Sequence, residues 1–419
     1  MFTRASIVIV IFGSFFHVSA FADQILSLDE AESLAIRSDP GRLRFESQAS
    51  ALREQAVADA QLPDPRISVG LLNFPVDTFD RDQEPMTQIQ FGVEQKFPKG
   101  DSLAIKSAKR KIGAMAATYR GEDRQLQLLK QVRLVWLELF YWQRAEEVIK
   151  QNQRVFKQLV TATQNNYAVG RGQQQDVLHA QLEASRLDDR LLSILDQQEQ
   201  AAAELSVLTG LVITDFSLPA SLPEMGPLPS RAEIEGRLQK HPMLQIAASE
   251  IEKSHKDVAL ARESYKPEWM LGVRYGFRDG NNNNGSERAD FVSVGVSLDV
   301  PLFKNKRQDR VLQASQQQLS ASKNLLDQRY LELQQKLRKA YANWKALEQR
   351  DSIYQLKLIP QAGQQTEATL FAYQNDRSDF TSLMRSRITS LDTQLKAMRI
   401  HVNRAKAAAR ILYFVGELS

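Results

Sequence analysis

Two rhythms of apolar residues run along this chain, and each of them occurs twice. The first has a period of two: Ile67, Val69 and Leu71 share one side of a short segment, and Ile89, Phe91 and Val93 oppose Gln88, Gln90 and Glu94 in the next. About two hundred residues later the pattern returns. Trp269, Leu271, Val273, Tyr275 and Phe277 alternate with Gly272, Arg274 and Gly276, and Val292, Val294, Val296, Leu298 and Val300 alternate with Ser293, Gly295, Ser297 and Asp299. Strict alternation places one apolar and one polar face on a strand, so four strands are predicted. The polar runs "NFPVDTFDRDQEP" and "RDGNNNNGSER" read as the loops that join them in pairs.

The second rhythm has helical spacing, as in Val132, Val135, Trp136 and Leu139. Neither Gly nor Pro interrupts 122–169 or 302–359, which predicts rods of roughly 70 and 90 Å. Most remaining positions hold Gln, Lys, Arg or Glu, leaving the narrow seam of coiled-coil packing. Each rod turns, near Gly170-Arg171-Gly172 and near Asp376-Arg377-Ser378, and return helices are predicted over 173–209 and 379–415. Pro360 and Gly363 predict a kink or a loosened turn in the second rod. A further helix precedes each strand pair, over 28–61 with Asp29 as its cap and over 231–265.

These parts form two matching series. Pro40 and Pro242 lie 202 residues apart, as do Pro65 and Pro267; "GVEQKFP" and "GVSLDVP" lie 203 apart, setting Gly92 over Gly295 and Pro98 over Pro301; Tyr167 and Tyr373 lie 206 apart. The chain is therefore divided into a first repeat, 23–210, a Pro-rich linker, 211–230, and a second repeat, 231–419. Residues 1–22, with Arg4, the apolar run Ile7–Phe16 and Ala20-Phe21-Ala22, have the layout of a secretory signal peptide.

Composition narrows the chemistry. There is no Cys in the 419 residues, which excludes disulfides, thiolate metal sites and a Cys nucleophile. The net charge of +4, or +3 without Arg4, is too small and too evenly spread for nucleic acid. His179, His241, His255 and His401 are scattered without metal-ligand spacing, and no metal or cofactor is predicted. No Gly-x-Ser-x-Gly elbow or His-Glu-x-x-His pair appears, and "VGRGQQQ" lacks the Lys-Ser/Thr ending of a phosphate loop, so no enzyme is predicted. Four two-faced strands either form a sheet covered by helices in a soluble protein or span a membrane; in lipid they cannot close alone, because the smallest barrels need about eight strands.

The doubled order of helix, two strands, long helix, turn and helix, with its strand-Pro-helix junctions at Gly92, Pro98, Gly295 and Pro301 and with "YAVGRGQQQDVLHAQ" at the first turn, resembles the TolC family of outer-membrane efflux channels over essentially the whole mature chain. The resemblance implies an α+β membrane protein, a homotrimer in which each chain gives four strands to one 12-stranded β-barrel in outer-membrane lipid. Long antiparallel helical hairpins then form an α-barrel across the periplasm. It implies a passive exit duct served by a hexameric periplasmic adaptor and an inner-membrane pump. "LPDPRISVGLLNFPVDTF" and "EPMTQIQFGVEQKFPKGD" are similar to the CzcC/CusC-like branch, which works with RND pumps and exports heavy-metal cations. Ducts for drugs or secreted proteins share the fold, and a periplasmic coiled-coil adaptor is the alternative from another class.

Within the family the helix turns close the channel and meet the adaptor. Here they are Tyr167, Gly170 and Gly172, followed by Asp176 and His179, and Tyr373, Asp376 and Asp379, followed by Ser382 and Arg385. An acidic ring of the family would fall at Ser382 and Arg385, where this chain has no acid; Asp376 and Asp379 lie close by. Caps and solvated helix ends are the structural reading of the same Asp and Arg residues.

Overall fold

The computed structural model describes residues 25–211, 217–223 and 226–416; the signal peptide predicted over 1–22 lies outside them. The order begins with α1 (Leu28–Ser38), α2 (Pro40–Ala58), β1 (Arg66–Leu72), β2 (Gln88–Phe97), α3 (Ser102–Ala168) and α4 (Gln174–Thr209). It resumes with α5 (Arg231–Arg237), α6 (Pro242–Glu263), β3 (Glu268–Phe277), β4 (Phe291–Asp299), α7 (Gln308–Ile353), α8 (Ile359–Gln374) and α9 (Phe380–Val415).

The helices differ from expectation at their breaks. The first predicted helix, 28–61, is two: Asp39 leaves the helical region and its carboxylate accepts hydrogen bonds from Gly41 N (3.2 Å) and Arg42 N (3.0 Å), restarting the chain at Pro40. Ser27, not Asp29, caps α1, its Oγ accepting from Glu30 N at 3.2 Å. The second helix breaks at the corresponding place, through a 3₁₀ turn (Leu238–Lys240) to a cap at His241. The glycine-free stretch 122–169 forms, up to Ala168, the second part of the longer α3, which starts at Ser102 and passes through Gly113 and Gly121. Of the kink or loosened turn expected at Pro360 the structure has the loosened turn, π-helical over Tyr354–Leu358, since Pro360 has no N–H for the ladder.

Packing divides the described residues into two compact units that each draw on both halves of the sequence. One is formed by 25–37, 132–211, 217–223 and 358–402, the other by 38–131, 226–357 and 403–416. In the first unit the predicted seam is the core: Val132, Val135, Trp136 and Leu139 are all buried, and Trp136 Nε1 donates to Leu26 O at 3.1 Å. Arg133 holds Glu32 through two bonds of 2.6 and 3.0 Å. The described part of the predicted linker is packed, not free. Ser217 bridges Ile25, and buried Leu218 is gripped by Gln143 (3.2 Å) and Arg144 (3.3 Å) of α3.

In the second unit Leu126, Ile234, Leu238, Leu244, Leu333, Leu337 and Ile411 share one core with Tyr413 and Phe414. The same unit carries one antiparallel sheet, in the order β1-β2-β3-β4. Both outer strands are edges, each with one side of its backbone unpaired among the described residues. No described helix is long and apolar enough to cross a membrane.

Candidate functional site

The sheet register sorts the side chains into two faces. Ile67, Val93, Val273 and Val294 lie in one row, Val69, Phe91, Tyr275 and Val292 in the next, and Phe97, Trp269 and Leu298 at the end nearest the helices. None of the described residues covers this face: Ile67 is 76% exposed, Val292 70% and Val294 68%. The reading of a soluble sheet blanketed by its own helices is thus excluded for these rows. Lone exposed apolar residues are ordinary, but a contiguous apolar sheet face requires an apolar partner.

The opposite face is polar. Arg274 reaches Glu94 at 2.7 Å and Lys96 reaches Glu268 at 2.8 Å. Gly92, read as part of the strand-to-helix junction, is inside β2 and pairs with Ser68 and Arg274. A Cβ there would meet Ser68 Oγ at 2.6 Å and Arg274 Cγ at 3.3 Å, so a bare backbone lets Arg274 lie across the strand. Gly295 is likewise within β4, facing Gly272 in open space. Pro98 directly follows β2, and Pro301 lies two residues past β4, so the prolines mark the strand ends and the glycines do not.

The helix turns belong to the first unit, and their backbones match. Arg171 N donates to Asn166 O at 2.8 Å and Gly170 N to Tyr167 O at 3.0 Å; Arg377 N donates to Ala372 O at 2.8 Å and Asp376 N to Tyr373 O at 3.2 Å. Every one of these atoms recurs at the offset of 206 read from the two tyrosines. Gly170 (φ 73°) and Asp376 (φ 56°) occupy the same left-handed position, which Asp tolerates better than most residues. Gly172 differs from Gly170. A Cβ on it would press Asn166 Cβ and Tyr167 N at 3.3 Å, whereas Gly170 has open space and is needed for its φ alone.

Charge at the turns is committed locally. Asp379 caps α9, its Oδ1 accepting from Ser382 N at 2.6 Å; hydrogen bonds from the Ser382 backbone and hydroxyl, with Arg385 nearby, hold its carboxyl below the usual range. Ser382 therefore contributes its N–H to the cap, while Arg385 is exposed. Asp176 sits in the first turn of α4, whose cap position, Gln173, makes no side-chain capping bond. His179 is half-buried, and its Nδ1 is sealed from solvent without a hydrogen bond. Tyr167 (50%), Val169 (68%) and Phe371 (68%) leave apolar surface exposed at the turns, while Tyr373 packs edge-on against Phe380 at 5.9 Å.

Sequence reasoning passed over His241, grouping it with scattered histidines. It is 1% exposed in the second unit, where Nδ1 accepts from Met243 N (3.2 Å) and Nε2 donates to Tyr413 O (3.0 Å). Its alignment with the cap Asp39 was the available signal. No group of three or more potential metal ligands occurs among the described residues.

Residues 234–416 match the family model described as outer membrane efflux protein. The alkaline protease secretion protein AprF of Pseudomonas aeruginosa is 23% identical over 265 residues, 62% of this chain; the match spans about half (53%) of that relative's length. Among solved structures, the outer-membrane channel OprN has a TM-score of 0.78 at 17% identity, with 93% of this chain and 89% of that chain covered. The outer membrane protein VceC of Vibrio cholerae scores 0.77 at 15% identity, covering 93% and 96%. CusC, a structure described by its transmembrane channel formation, scores 0.78 at 13%, covering 93% and 92%. The resemblance to TolC-family channels read from the sequence holds in the fold.

Proposed function

We propose that this chain, whose second half matches the outer membrane efflux proteins and whose fold is that of their channels, is one of three staves of a passive outer-membrane exit duct extending into the periplasm. The observation that carries this reading is the sheet: four strands, one uncovered apolar face, one polar face and two unpaired edges. In lipid each unpaired backbone group costs several kcal/mol, so edge must meet edge in neighbouring copies. Three chains supply twelve strands; the apolar rows face acyl chains and the Arg274–Glu94 face lines water. The duct catalyses nothing and takes its cargo from a periplasmic adaptor and an inner-membrane RND-type pump.

The two helix turns are the adaptor-docking and gating sites of this duct. Tyr167, Gly170 and Gly172 present one turn, Tyr373, Asp376 and Asp379 the other, with Asp176, His179, Ser382 and Arg385 on the helices just beyond. Exposed Tyr167 and Phe371 give the adaptor an apolar foothold. The cargo is heavy-metal cations, a reading supported by the similarity of the two strand segments to the CzcC/CusC-like branch and by the fold shared with CusC. A wide duct does not need to bind such ions.

A second reading, export of a secreted protein, is favoured by the match to AprF. A strain lacking the chain, challenged with copper, silver, zinc, cobalt and cadmium salts beside dyes, detergents and antibiotics, separates the two. Sensitivity confined to metals supports the first reading; full metal resistance with loss of a secreted protein replaces it with the second.

A further inference from the structure

The two strand-to-helix junctions are built differently, and the difference points to a ligand. After β2 the chain closes quickly: Gly100, at φ 45°, is pressed against Glu263 and Lys266, and Asp101 N donates to Glu263 Oε2 at 2.8 Å. After β4 it projects. Val300 (62%), Leu302 (75%) and Phe303 (84%) are strongly exposed, and Lys304, Lys306 and Arg307 follow, also exposed and, among the described residues, with no carboxylate paired to any of them. A groove of about 920 Å³ separates this segment from Tyr265 and Pro267.

We infer that Val300–Arg307 is a binding site for anionic phospholipid, in which Leu302 and Phe303 enter the acyl region and Lys304, Lys306 and Arg307 hold the headgroup phosphate. The inference rests on the membrane reading of the sheet. Val300 continues the exposed row of Val292, Val294, Val296 and Leu298, so the segment extends the same apolar surface. The level of the interface is marked independently: Phe97 and Trp269 stack at 3.9 Å in the last row, beside Leu298. Aromatic pairs of this kind sit where hydrocarbon meets headgroups, and three cations just beyond that row meet the depth of the phosphates. A second copy of the chain is the less suitable occupant, because protein interface cores are depleted in Lys and, among the described residues, this trio has no acidic partner.

The absence of native Cys allows clean labelling of the full-length assembled protein. Nitroxides at Phe303→Cys and, as reference, Val294→Cys are read in nanodiscs of phosphatidylcholine with and without phosphatidylglycerol, by collision with oxygen and with a water-soluble nickel chelate. The Phe303 label is expected in lipid, shallower than the Val294 label. In parallel, phosphatidylglycerol retained through detergent exchange is measured for the K304Q/K306Q/R307Q variant. Each basic group near an anionic surface is worth about fivefold, so retention is expected to fall by tenfold or more while phosphatidylcholine is unchanged. A Phe303 label shielded from both quenchers or broadened by other copies would place protein on this surface and overturn the inference, as would a water-exposed label or undiminished retention. A Val294 label outside lipid removes the membrane reading itself.

Discussion

His241 offers the sharpest test of how the second unit is held together. Both ring nitrogens are assigned by their neighbours: Nδ1 accepts from the Met243 N–H, so Nε2 carries the proton given to Tyr413 O. The ring also meets Tyr413 edge-on at 4.9 Å. Replacement by Ala removes a helix cap (about 1 kcal/mol), leaves the Tyr413 carbonyl buried without its donor (about 1–3 kcal/mol) and loses a ring contact (about 0.5–1.5 kcal/mol). Together these give roughly 3–5 kcal/mol, or on the order of 10² to 10⁴ in the local opening equilibrium. Hydrogen exchange at Met243 and Leu244 should accelerate by that factor.

The pH dependence follows from the same geometry. Burial pushes the His241 pKa below its ordinary 6.5, against the opposing pull of the Tyr413 carbonyl and of Asp123. A proton on Nδ1 would face the Met243 N–H and cancel the cap. With the folded value depressed, the stabilisation is complete above pH 6.5 and is lost as pH falls through the folded value. Protection of these amides, corrected for intrinsic exchange, should therefore drop between pH 7.5 and 5 in the native protein and stay flat in His241→Asn, which caps without titrating. A flat native profile, or the same step in the Asn variant, refutes this assignment.

Further outcomes are expected elsewhere. Val294→Arg, in the middle of the exposed apolar face, should cost about 2–4 kcal/mol in the bilayer and abolish outer-membrane flotation on a density gradient, whereas Ser293→Arg on the polar face should float normally. Asp379→Asn keeps an acceptor for Ser382 N and should melt near the native temperature, Asp379→Ala should melt lower for want of the cap, and charge reversal at Asp379 should change single-channel current; an unchanged current removes Asp379 from the gate. At Asp39, burial raises the carboxyl pKa but the bonds from Arg124, Gly41 and Arg42 outweigh it, so its stabilisation should hold above pH 3.8 and fade below; Asp39→Asn should cost about 1–2 kcal/mol by thermal melting, since Arg124 remains half in water. Gly170→Ala should cost about 1–2 kcal/mol for its left-handed φ, and Asp376→Gly should raise the melting temperature.

Periodicity alone determined much of this protein. Alternation at Trp269–Phe277 and Val292–Leu298 requires strands with one apolar face, helical spacing at Val132–Leu139 requires a seam, and Tyr167 and Tyr373 mark equivalent turns, because these patterns are local and each residue's face follows from its own backbone repeat. The tertiary structure decided what depends on residues far apart in the chain. Whether the apolar rows were covered, whether Asp379 was free or a cap, and whether His241 was solvated or a buried cap under Tyr413 all turn on neighbours that sequence distance hides. Asp39 and His241 carry the lesson together: alignment equates them and both begin a helix before proline, yet one answers Arg124 with a charge and the other a carbonyl with a neutral ring. The surroundings, not the position, select the chemistry.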